Sequence, residues 1–236
     1  FIAMTSCETF LDVNEDPNNS TENPGANLLT RAQVALESQR NIELGANVSM
    51  MTQTMASNGS AGVFIDPERW IVSTFTNGNS FGFLNTDVNN NLQLFINQSL
   101  ERADTPNNAI AQAKLIQSYT FWTLTVIWED IVFNQAFKFT EFPTPEFDSQ
   151  ETVLRGLVTE IDDALALINN AESNSVVEGD LYYSGDMEKW RRFGNSLKLR
   201  VLMFIYTNRD QSVAPQIRDL VNNQSLIRDN ADNALF

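Results

Sequence analysis

The chain contains no histidine. That absence removes the commonest general base, the usual partner of a nucleophilic serine or cysteine, and the favoured side-chain ligand of transition metals. It contains a single cysteine, Cys7, so no internal disulfide can form and the thiol is free, intermolecular or modified. Cations are scarce: 15 Lys and Arg stand against 30 Asp and Glu, a formal net charge of -15. An acidic excess of that size repels nucleic acid and anionic membrane surfaces, and no nucleic-acid partner is expected. No apolar run approaches the length of a membrane span. Few segments alternate apolar and polar residues with period two, so sheet content is expected to be minor.

With 236 residues, 42% of them hydrophobic, the chain can bury a substantial core in one or two domains. Helical periodicity dominates. Residues 26–57 carry Leu28, Leu29, Ala32 and Leu36, then Met50, Met51 and Met55, at three- and four-residue spacing. A second helix is expected over about 84–103, ended by Thr105-Pro106. A third starts from a cap at Asn107 or Asn108 and runs to about Trp128. It is apolar on most of its circumference and should be interior. Asp148 or Ser149 caps a fourth, and "DMEKWRRFGNSLKLRVLMFIYTNR" and "VAPQIRDLVNN" are the fifth and sixth. Residues 59–82 and 129–147, rich in Gly, Pro, Asn and Phe, read as long structured loops. The expected fold class is all-α: mainly helical, with tetratricopeptide-like helix pairs, long structured loops and minor β, though no consensus repeats at fixed period.

The stretch "SCETFLDVNEDPNNST" raises the question of calcium. Asp12, Asn14 and Asp16 occupy the first three ligand positions of an EF-hand loop. Pro17 stands where the loop needs glycine and Asn23 where it needs a bidentate glutamate, so no metal site is expected. Upstream, "FIAMTSC" reads as the apolar tail of a secretion signal ending in small residues, and its last residues look like a bacterial lipobox that makes Cys7 the acylated residue. The expected organisation is residues 1–6 as the signal end with the lipobox, 7–25 as a lipidated polar leader, and 26–236 as the helical domain.

Three blocks occur here in a telling order. They are "FLDVNEDPNNST" behind the lipobox-like Cys7, "FWTLTVIWEDIVFNQAF" followed by "FDSQETVLRGLVTEIDDALALI", and "GDMEKWRRFGNSLKLRVLMF". The chain thereby resembles the SusD/RagB-like outer-membrane lipoproteins of Bacteroidota. Trp128, Asp130, Ala136, Phe147, Asp148 and Gln150 stand in register with that family's second block, while Glu129, Val132, Phe133, Asn134 and Gln135 depart from it. The third block is the most specific, and Lys189, Trp190, Phe193, Asn195, Ser196, Leu197, Lys198, Leu199 and Arg200 all fit. The likeness spans essentially the whole chain. Members are about twice this length, so the sequence corresponds to their N-terminal side and the domain is expected to be truncated at its C-terminal side.

The resemblance implies a binding protein, no enzyme and no cofactor. Such proteins sit at the cell surface, held in the outer membrane by lipid on the cysteine. They capture oligosaccharides, polysaccharides or peptides and deliver them to a SusC-like TonB-dependent transporter. Neutral sugars are held by aromatic faces beside fixed amides and carboxylates. The segment Phe64 to Phe83 has that mixture, which makes Trp70, Phe75, Asn77, Asn79 and Phe81 candidate ligand contacts. Trp190, Phe193, Leu197, Val201 and Phe204 form one helical stripe and are read as core. Lys189, Arg191, Arg192, Lys198, Arg200 and Arg209 are expected to pair with acids such as Glu160, Asp162 and Asp163 on a neighbouring helix. Asn195, in mid-helix, is expected to bond a loop backbone. Glu129 and Asp130 are read as capping and loop-anchoring groups rather than half of a glycosidase pair. Two other classes compete: a helical scaffold that binds only proteins, and a glycan-degrading enzyme.

Overall fold

A computed structural model describes residues 25–57, 65–71, 74–102, 107–170, 179–207 and 210–234. Cys7 and the leader up to residue 24 therefore lie outside the described residues. The described chain is mainly helical: α1 Gly25–Ser38, α2 Gly45–Met51, α3 Ile65–Glu68, α4 Thr74–Phe83, α5 Asn90–Glu101, α6 Asn107–Trp128, α7 Gln150–Leu167, α8 Met187–Thr207 and α9 Ala214–Asn223. Among the described residues there is no strand, only an isolated antiparallel bridge between Ile131 and Asp148. No described helix is long and apolar enough to cross a membrane.

Two of the helical rods are continuous through wide turns. α1 passes into α2 through a π-helical stretch, Gln39–Leu44, and α4 passes into α5 through another, Leu84–Asn89. The first rod ends at Met51, and Gln53 already has a φ of 57°, so the helix expected over 26–57 stops short. The second rod corrects the expected loop over 59–82, because residues 65–68 and 74–83 are helical. Its sequence is poor in helix formers, but Ser80, Leu84 and Val88 are wholly buried at four-residue spacing. Burial of one face outweighs weak intrinsic propensity there.

The interior helix is α6. It packs against α5, α7, α8 and α1, and Ala111, Ala113, Leu115, Ile116 and Leu124 are fully buried. α7 begins where the sequence placed it. The Ser149 hydroxyl accepts from the Thr152 N–H at 3.3 Å, and the Asp130 carboxylate accepts from the Gln150 N–H at 3.0 Å. Two of the four orphan amides of that helix end are thus satisfied. α8 lays its stripe inward as expected: Trp190, Leu197 and Val201 are buried, and Phe193 and Phe204 pack against the core. Trp122 meets Phe204 edge-on at 5.3 Å.

Candidate functional site

The expected ligand residues do not fall in one place. Trp70 lies on the turn after α3, closed by its own N–H donating to the Pro67 carbonyl at 2.9 Å. It is 69% exposed and has a φ of 62°. A bulky residue in the left-handed region stores strain, which recurs where a side chain is held out for use. α3, which precedes Trp70, packs on α2. Phe81 turns the other way and packs edge-on against Trp128 at 5.3 Å, pinning α4 to the end of α6. Asn79 is exposed on α4. The side chains of Phe75 and Asn77 lie outside what the structure describes.

One turn beyond Asn79, Phe83 opens onto a groove of about 620 Å³ that sequence reading did not anticipate. Its near wall is the outer stripe of α1, with Asn27, Thr30, Arg31, Val34 and Ser38 at helical spacing. Its far wall is Phe83 and Asp87. Arg31 donates to the Asp87 carboxylate across the groove, which also accepts from the Thr86 hydroxyl at 2.9 Å. Val34 and Phe83 show 47% and 42% of their surface to solvent, so the apolar part of the groove is open. The Gln39 Oε1 atom at its end is buried without a hydrogen-bond partner among the described residues. A buried acceptor left unmade is uncommon in a folded protein. The groove combines an aromatic face, the Asn27 and Gln39 amides, the Ser38 hydroxyl, a Thr30 hydroxyl that donates to the Gly179 carbonyl at 3.3 Å, and a fixed ion pair, the equipment that holds a polar ring with an apolar face.

The motif residues serve the scaffold. Asp148 accepts from the Phe133 and Asn134 backbone N–H groups at 3.1 and 2.8 Å and from the Asn134 amide at 2.6 Å, anchoring the loop after α6. Asp130 spends its carboxylate on α7, and the Glu129 carbonyl accepts from the Thr125 hydroxyl at 2.7 Å. Asn195 donates to the Ser225 carbonyl at 2.9 Å, the loop-backbone bond expected of it. Trp190 donates its indole N–H to Asp180 at 2.8 Å, a partner the sequence reading missed. Asp180 sits in a turn announced by Gly179, Ser184 and Gly185, the last two with φ of 49° and 82°.

The expected pairing of the α8 cations holds for Lys198, which reaches Asp162 at 2.6 Å. Glu160 is taken instead by Lys114 of α6 at 2.9 Å. Arg191 donates to the Ile168 carbonyl at 3.1 Å, Arg192 pairs with Asp232 at 2.5 Å, and Lys189 lies 5.9 Å from the centre of the Tyr183 ring. Acids outside α7 therefore do much of the pairing. Arg200 has no hydrogen bond or ion pair among the described residues, and Arg209 lies outside them. Among the described residues no cluster of Cys, Asp and Glu is arranged to hold a metal.

A sequence model of the SusD-like family, described as starch-binding and associating with the outer membrane, matches residues 17–236. No curated protein matches. Three solved structures give the same fold. A SusD homologue from Bacteroides fragilis is 25% identical, with a TM-score of 0.67 over 90% of this chain and 43% of its own. A SusD/RagB family protein from Bacteroides thetaiotaomicron is 20% identical, with a TM-score of 0.74 over 90% of this chain and 45% of its own. A chitin-binding protein is 22% identical, with a TM-score of 0.70 over 89% of this chain and 45% of its own. The chain thus spans less than half the length of each.

Proposed function

The chain belongs to the SusD-like family of starch-binding proteins associated with the outer membrane, and from that premise we propose that it is a cell-surface nutrient-binding lipoprotein. It captures glycan, passes it intact to a SusC-like TonB-dependent transporter, and is held to the membrane by lipid on Cys7. The observation that carries the reading is the family match across residues 17–236. The groove between α1 and α4 gives it a physical locus. Phe83 offers a ring face to the apolar side of a sugar, Asn27 and Ser38 bond its hydroxyls, and Asn79, exposed on α4 one turn before Phe83, is available to the part of the ligand beyond the groove. The Arg31–Asp87 pair presents a donor and an acceptor side by side. Trp70, held out by its strained backbone, supplies a second stacking surface for a longer chain. Phe75 and Asn77 join this set by their place in the sequence. No bond is broken in this scheme.

The test is titration of the complete protein against neutral polysaccharides and oligosaccharides, chitin fragments included, beside peptides. Binding of at least one glycan is expected, with Phe83→Ala and Trp70→Ala each weakening it about tenfold, the loss of one buried aromatic contact. Both residues are exposed, so their variants should keep the wild-type circular dichroism. Failure of the intact protein to bind any glycan, or turnover of one, defeats the reading. The anchor is checked by labelling cells with a palmitate analogue. Label should appear on the wild type and vanish from Cys7→Ala, and retained label on the variant would remove the lipid from the scheme.

A further inference from the structure

A second cleft, of about 280 Å³, opens on the face of α1 turned away from the groove. Ile116 and Tyr119 of α6 form its floor. Glu37 and Arg40 stand on one wall, Phe193 and Arg200 of α8 on the other. The charges on the first wall are already committed. Glu37 accepts from the Tyr182 hydroxyl at 2.9 Å, from Arg40 at 3.1 Å and from the Asn41 amide at 2.8 Å. Burial, reinforced by the Glu37 charge, pushes the Tyr182 phenol up, so it stays a neutral donor. Arg40 is fixed in turn, its guanidinium 5.2 Å from the centre of the Tyr119 ring. Tyr119 and Phe193 lie 6.0 Å apart with their planes tilted by 58°, so Phe193 is the ring face not taken by Arg40.

Arg200 differs. It is exposed at the cleft without a partner among the described residues, in a chain where acids outnumber cations 30 to 15. Two guanidinium groups on opposing walls and one neutralised carboxylate leave the cleft one positive charge above an aromatic floor. Planar guanidinium forks match a planar carboxylate better than a point charge does.

We infer that this cleft is a second sugar subsite, selective for a uronic acid. The carboxylate of the sugar is held by Arg200, with the fixed Arg40 adding its positive charge, and its ring lies against Phe193. The inference rests on the glycan-binding reading and names the sugar class for a site that reading does not use.

The complete protein is titrated with short oligogalacturonides, their methyl esters and a sulfated oligosaccharide of similar length. The free acid should bind at least about tenfold more tightly than the ester, the effect of one charge-assisted hydrogen-bonded pair. Arg200→Gln should abolish that preference and Arg200→Lys should retain part of it. Arg200 is exposed, so its variants are expected to fold. Equal affinity for acid and ester, or a preference that survives Arg200→Gln, overturns the inference while a measured affinity for neutral glycans keeps the broader reading. Tighter binding of the sulfated chain overturns the carboxylate assignment. Binding of no glycan at all defeats both.

Discussion

Asp180→Ala is expected to cost about 4 kcal/mol of folding stability, the largest effect of any single polar substitution in the described chain. Asp180 is 3% exposed and makes no ion pair among the described residues. Its charge is held instead by five N–H donors. Oδ1 accepts from the backbone of Tyr182 and Tyr183 at 3.1 and 3.2 Å. Oδ2 accepts from the Gly185 N–H and the Trp190 indole, each at 2.8 Å, and from the Gln112 amide at 3.1 Å. The carboxylate therefore ties the turn before α8 to the first turn of that helix and to α6. Alanine would leave these donors buried and unmade, and each such loss costs about 1–3 kcal/mol, not fully additive. Asp180→Asn keeps one acceptor oxygen and should fall in between. Trp190→Phe keeps most of the packing against Tyr183, 5.2 Å away, but deletes one donor, so about 1–2 kcal/mol is expected. Urea unfolding of the three variants should give that order. A loss below about 1 kcal/mol for Asp180→Ala would remove the carboxylate from the centre of this scaffold.

The same network marks where sequence reading stops. Trp190 was legible as a family motif residue and as part of an apolar stripe, because both signals are local. Its partner Asp180 lies in a turn whose glycines announce a bend but not what the bend encloses. The α7 cap was legible because Ser149 and the helix it starts are adjacent in sequence. The Asn195 bond to Ser225 was legible in kind, since a mid-helix amide that is buried must find a partner. Helix α4 was not. Its Phe, Asn and Gly content points to a loop, and only the burial of Ser80, Leu84 and Val88 against the core, a tertiary fact, reverses that.

The candidate site was legible in composition and not in assembly. The segment around residues 64–83 was singled out as aromatic and amide-rich, and within it Phe81 faces the core while Phe83, two residues on, faces the groove. Which aromatic is offered to solvent depends on the phase of a helix that the sequence did not reveal. The opposing wall comes from α1, some fifty residues earlier in the chain. The cleft beside Arg200 has the same character, built from α1, α6 and α8.

Gly194→Leu carries the second large expectation, and its sign is a contest between two effects. Gly194 lies within α8, where replacing glycine by leucine should favour the helix by somewhat under 1 kcal/mol. Against that, a Cβ at this position would stand 2.7 Å from the Leu165 Cδ2 atom of α7 and 3.0 Å from the Leu115 Cδ2 atom of α6. The glycine is where three helices meet, and Leu115 is fully buried. A single methyl can be met by rotating two leucine tips, so Gly194→Ala should be close to neutral. An isobutyl group cannot, and overpacking of a dense core typically costs about 1–3 kcal/mol and sometimes more. Overpacking wins: Gly194→Leu is expected to lose about 3 kcal/mol net. If the clash with Leu165 is the cause, Leu165→Ala should relieve it. Then the double variant should be more stable than the sum of the single losses by over about 1 kcal/mol. Thermal or urea unfolding of the four proteins measures that coupling. A stabilised Gly194→Leu would mean that α7 and α8 stand further apart than this junction requires, and strictly additive losses would place the strain elsewhere than at Leu165.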